Sequence, residues 1–101
     1  MVKAIIVDDE QDCCETIASL LNSFCPDVAV TGIYHNGAEA LPAILQKQPD
    51  LVFLDVEMPR MNGFEMLEQL PQVNFDIIFT TASRFAVAPL DALRTPVGID
   101  A

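Results

Sequence analysis

Positive charge is what this 101-residue chain has least of: five Lys and Arg stand against fifteen Asp and Glu, a formal net charge of −10. The five cations, Lys3, Lys47, Arg60, Arg84 and Arg94, are scattered. They form no basic patch, which argues against this chain gripping nucleic acid itself. Long apolar runs are missing too; none approaches the roughly 18–20 residues that span a bilayer, so no membrane association is expected. The N-terminal apolar stretch, Ala4 to Val7, is only a strand's length and meets acidic residues at once, unlike a signal peptide. Cysteine is sparse: Cys13, Cys14 and Cys25 are an odd set without CxxC spacing. Adjacent Cys13 and Cys14 cannot share one helix face, so reduced structural thiols and a cytoplasmic location are the expectation.

What is present reads as one globular domain, residues 1–101, with 51% apolar and 20% charged residues. Lys3 to Asp8 is a short continuous apolar run, the pattern of a strand covered on both faces. Ile17, Leu20, Leu21 and Phe24 then follow at helical spacing until Pro26. Val28 to Tyr34 reads as a second strand, and Asn36-Gly37 as the turn after it. Ala38 to Gln48 carries a helical pattern with Pro42 inside it, so a short or bent helix is expected.

Leu51 to Leu54, the most apolar run, reads as a central strand ending at Asp55. Met58 to Gly63 is a loop, followed by a helix through Phe64, Met66, Leu67 and Leu70 that Pro71 closes. Phe75 to Thr81 is the fourth strand, and Ser83 to Leu93 a weak helix disturbed by Pro89. Val97 to Ala101 looks like the approach to a fifth strand. The alternation of strands and helices predicts an α/β, doubly wound parallel sheet with helices on both faces. Its fifth strand and last helix would be incomplete, the domain being truncated near the start of that strand.

In such sheets the chemistry lies beyond the carboxyl ends of the strands. Asp8 and Asp9 end the first strand, Asp55 the third, and Thr80 and Thr81 the fourth, so all five converge on one crevice. Bare carboxylates there would repel, and a hard cation relieves this. Mg²⁺ (or Mn²⁺) accepts oxygen ligands and leaves positions free for phosphate oxygens, and an Asp nucleophile can form an acyl phosphate. Asp8 and Asp9 also suit a plainer role, capping the first helix at its positive end. His35, alone in its loop, is given no role as ligand or phosphodonor, and Met58, Met61 and Met66 read as loop anchors and core.

Ile5-Ile-Val-Asp-Asp-Glu10, Leu54-Asp-Val-Glu-Met-Pro-Arg-Met-Asn-Gly63 and Phe79-Thr-Thr-Ala82 resemble response regulator receiver domains of two-component signalling. The fourth-strand motif is most similar to receivers joined to LytTR-type DNA-binding domains. The resemblance, from Lys3 to about Leu93, implies that Asp55 is the phosphoacceptor and a sensor histidine kinase the donor. It makes Asp8, Asp9, Asp55 and the Glu57 backbone carbonyl the metal ligands, Asp9 directly and Asp8 through water. It makes Thr81 the switch hydroxyl, Glu57 and Ser83 positions that set phosphoryl lifetime, and Pro59 and Gly63 determinants of loop geometry.

It further implies a flavodoxin-like sheet of strand order 2-1-3-4-5, an effector domain outside this chain, possible homodimers, and no turnover enzyme. The Lys that receivers carry at the end of the fifth strand has no counterpart between Arg94 and Ala101. A pseudo-receiver acting as a dimerisation module is the alternative. A haloacid-dehalogenase-like phosphatase is remoter, because position 57 is Glu where that family needs Asp. On the truncated reading, the fourth strand would present an open edge to a second copy.

Overall fold

The tetrad Ala4, Ile5, Ile6 and Val7 is completely buried, as a run without polar alternation requires when both faces of a strand are covered. The computed structural model describes residues 1–80 together with the backbone of a strand at 85–88. Its elements are β1 (Val2–Val7), α1 (Gln11–Phe24), β2 (Val28–Tyr34), α2 (Gly37–Lys47), β3 (Leu51–Asp55), α3 (Gly63–Glu68), β4 (Asp76–Thr80) and β5 (Phe85–Ala88). They build a five-stranded sheet of order β2-β1-β3-β4-β5, in which β1 to β4 stand in the expected order. Strands β1 to β4 pair in parallel, and a register shift between Ala4 and Ile5 marks a bulge against β2.

Each buried strand feeds two cores, because successive side chains point to opposite faces. Ala4, Ile6 and Phe53 pack beneath α1 with Cys14, Ile17 and Leu21. Ile5, Val7, Val52, Leu54, Ile77 and Phe79 pack on the other face with Ala40 and Ile44 of α2 and Met66 and Leu67 of α3. Phe64 seats α3 on the sheet, its ring 5.0 Å from that of Phe79. Pro42 is accommodated within α2, which runs 11 residues from an Asn36 cap whose side chain accepts the Glu39 N–H. The helix starting at Gly63 is only six residues long, held by a capping box between Asn62 and Glu65.

Two expectations at the C-terminal end are corrected. A strand, Phe85–Ala88, stands within the stretch 83–93 read as a helix and is the fifth strand of the described sheet; residues 97–101, read as the approach to a fifth strand, lie outside the described residues. β5 runs antiparallel to β4, pairing Thr80 with Phe85 and Ile77 with Ala88. The four residues separating the two strands are too few for the crossover of a dozen or more that a parallel pair needs, so the chain can only double back. The apolar tetrapeptide Phe-Ala-Val-Ala carries too little periodicity to separate helix from strand, and the free edge of β4 decided it. The edge of β4 is accordingly covered, not open as expected.

Candidate metal and phosphoacceptor site

At the carboxyl ends of β1, β3 and β4 the alternation of side chains continues one step past the apolar core. Asp8 follows Ala4 and Ile6, Asp55 follows Phe53, and Thr80 follows Ile78, all on the α1 face. Burial persists with the pattern: Asp8 is 3% exposed, Asp55 9% and Thr80 2%. Asp9, one residue on, is exposed. Oxygens of Asp8, Asp9 and Asp55 lie within 4.8 Å of one another, so the structure brings together the carboxylates named from sequence.

Hydrogen bonds fix their orientation. The Glu57 N–H donates to Asp55 Oδ1 at 3.0 Å, and the Glu10 N–H donates to Asp8 Oδ1 at 2.9 Å. The cap residue of α1 is Glu10, without a side-chain cap bond; Asp8 thus does bind the helix entrance, and this occupies one of its two oxygens. The loop after Asp55 turns back on the strand through Gly63 N–H to Val56 O at 3.0 Å. A Cβ on Gly63 would come within 2.6 Å of the Asp55 carbonyl, so only glycine permits this approach. Arg60 takes a left-handed φ of 71° in the same loop, and the Pro59 carbonyl accepts the Met61 N–H at 2.8 Å.

Three carboxylates this close are electrostatically costly. At 4.8 Å and an effective dielectric near 20, each charged pair repels by about 3.5 kcal/mol. Burial, followed by the charges of Asp8 and Asp9, pushes the Asp55 carboxyl up from 3.8 to about 7, against the opposing pull of the Glu57 N–H. An all-oxygen donor set of this charge fits a hard divalent cation of the Mg²⁺ or Mn²⁺ type and suits softer metals poorly.

Two neighbours escaped the sequence reading. His35 Nδ1 lies 3.0 Å from the Asp8 carbonyl, and the Cys14 thiol donates to the same oxygen at 3.5 Å. Burial, then the Asp8 charge, pushes the Cys14 thiol up to about 11 and raises Cys13 as well, so both are protonated. All three cysteines are free. Thr80 was placed in the crevice but given no task, although the phase of Ile78 already aimed it at α1. Thr81 and Ser83 lie outside the described residues.

Comparison with known proteins agrees with this geometry. The family described as response regulator receiver domain matches residues 4–95. An uncharacterized response regulatory protein of Yersinia pestis is 43% identical over 83 residues, 81% of this chain and 34% of that protein. The transcriptional regulatory protein BtsR of Salmonella typhimurium is 40% identical over 83 residues, again 81% of this chain and 34% of that one. The chain therefore spans about a third of the length of these curated relatives.

Among solved structures, the response regulator domain of Thermotoga maritima CheB superposes with a TM-score of 0.71 at 28% identity, over 78% of this chain and 59% of that one. The CheX-CheY-BeF3-Mg+2 complex from Borrelia burgdorferi matches with a TM-score of 0.60 at 25% identity, over 65% of this chain and 49% of that one. Sheet order, the acidic crevice and these matches converge: the chain belongs to the response regulator receiver domains of two-component systems.

Proposed function

We propose that this receiver accepts a phosphoryl group on Asp55 from a partner histidine kinase and so switches an effector domain carried elsewhere in the full protein. The observation that carries the reading is the buried Asp55 as one of three carboxylates whose oxygens lie within 4.8 Å of one another. Asp8, Asp9, Asp55 and the Glu57 carbonyl would hold Mg²⁺ or Mn²⁺. A bound cation would supply positive charge that keeps Asp55 ionised and offsets the charge on the phosphoryl oxygens. An Asp55 oxygen then bonds to phosphorus as the phosphorus–nitrogen bond to the kinase histidine breaks, its electron pair returning to that nitrogen.

Thr81 is the hydroxyl proposed to sense the phosphoryl group, with Glu57 and Ser83 tuning its lifetime and Pro59 and Gly63 shaping the loop. Residues 1–101 act as the phosphoacceptor unit rather than as a turnover enzyme. The acidic surface leaves DNA contact to the effector, for which the LytTR type remains our proposal; the similarity to BtsR supports a transcriptional output. No helix among the described residues is long and apolar enough to cross a membrane; a cytoplasmic site of action is part of the proposal. Incubation with a small acyl-phosphate donor and Mg²⁺ should give a hydroxylamine-labile adduct that chelation prevents. Labelling that persists in Asp55→Asn would refute the assignment.

A further inference from the structure

Thr80 has no part in that reading, yet at 2% exposure it is the most deeply buried polar side chain of the crevice. Its neighbours show which way it points. Ile77 and Phe79 enter the core with α2 and α3, whereas Ile78 faces the core beneath α1. Alternation puts Thr80 on the α1 face as well, in register with Asp55 on β3. From there its hydroxyl donates to Asp8 Oδ2 at 3.4 Å, across 72 residues of sequence.

The other oxygen of Asp8 is already engaged by the Glu10 N–H at 2.9 Å. One carboxylate is thus tied at both oxygens by two separate segments, the entrance of α1 and the end of β4. The second tie restricts the rotation about the Cβ–Cγ bond that a single bond leaves open. A valine would fill the same volume and favour a strand equally well. A hydroxyl buried without a partner is unfavourable, so the contact with Asp8 is what makes Thr tolerable here.

We propose that Thr80 is a positioning residue: its hydroxyl sets the orientation in which Asp8 joins Asp9 and Asp55 around one divalent cation. The inference rests on the cation-binding reading above, and it gives Thr80 a task separate from that proposed for Thr81. The contact is longer than a strong hydroxyl bond. Its removal should therefore fall at or below the low end of the 10- to 100-fold seen when groups that orient metal ligands are lost, about three- to tenfold.

The test is cation affinity, read by Mn²⁺ electron paramagnetic resonance and by amide NMR shifts on titration with Mg²⁺. Thr80→Val and Thr80→Ala should each weaken binding by about three- to tenfold, and Thr80→Ser should hold it within about twofold of wild type. In an Asp8→Asn background, Thr80→Val should weaken binding no further, since the two act through one carboxylate. Wild-type affinity in Thr80→Val and Thr80→Ala overturns the inference. Equal loss in Thr80→Ser, or an undiminished effect beside Asp8→Asn, overturns it too, because either result assigns Thr80 to packing. A wild-type protein that binds neither ion removes the metal reading first, and this inference with it.

Discussion

Replacing Asp55 with Asn should stabilise the cation-free protein in mildly alkaline solution. The carboxyl is pushed up to about 7 by burial and by Asp8 and Asp9, against an ordinary value of 3.8. Between those two values the folded chain holds a proton that the unfolded chain has released. Stability from this group is therefore complete below pH 4 and is lost as pH rises through about 7. A displacement of some three pH units corresponds to at most about 4 kcal/mol. Solvent at the open side of the crevice, where Asp9 is exposed, screens the repulsion and lowers the expected gain to about 1–2 kcal/mol.

Asn keeps the oxygen that accepts the Glu57 N–H, so the exchange removes charge and little else. For a domain of this size about 1 kcal/mol moves the melting temperature by roughly 4–8 °C. Circular dichroism melts in EDTA should show Asp55→Asn melting roughly 4–15 °C above wild type at pH 8. The gap should shrink at pH 5.5, and millimolar Mg²⁺ at pH 8 should narrow it by stabilising the wild type more. A variant no more stable than wild type at pH 8, or a gap unchanged at pH 5.5, would refute the electrostatic account of the site.

Other outcomes follow from the same geometry. Mg²⁺ must displace the Asp55 proton, so calorimetric affinity should be flat above pH 8 and fall by up to about tenfold per unit below pH 7; constant affinity down to pH 5.5 would place the ion elsewhere. Gly63→Ala puts a methyl group 2.6 Å from the Asp55 carbonyl and 3.1 Å from Leu54. It should destabilise by about 1–3 kcal/mol in urea unfolding and weaken cation binding together, whereas an unperturbed variant would show that the loop relaxes freely.

The sequence marked the strands well because the signal is local. Runs such as Ala4 to Val7 and Leu51 to Leu54 have no polar residue to put on a surface, so they must lie in a sheet covered twice. Their ends were equally legible, since Asp8 and Asp55 interrupt the apolar runs at the points where the strands leave the core. The connections between them required a parallel, doubly wound sheet, and the resemblance to receiver domains supplied the order β2-β1-β3-β4. At Phe85 to Ala88 this logic failed, because four apolar residues fit either periodicity and the choice belonged to the unpaired edge of β4.

Sequence alone thus determined the α/β architecture and the residues that reach the carboxyl edge, because burial of short apolar runs and the chain's reach between them leave few alternatives. Tertiary structure decided the rest. It divided Ala4 and Ile6 from Ile5 and Val7 between two cores, and turned β5 antiparallel. It also buried Asp55 beside two further carboxylates, which raises it to about 7, and brought Thr80 and His35 to Asp8. Each of these depends on distances between residues far apart in the chain, and those distances exist only once the sheet has formed.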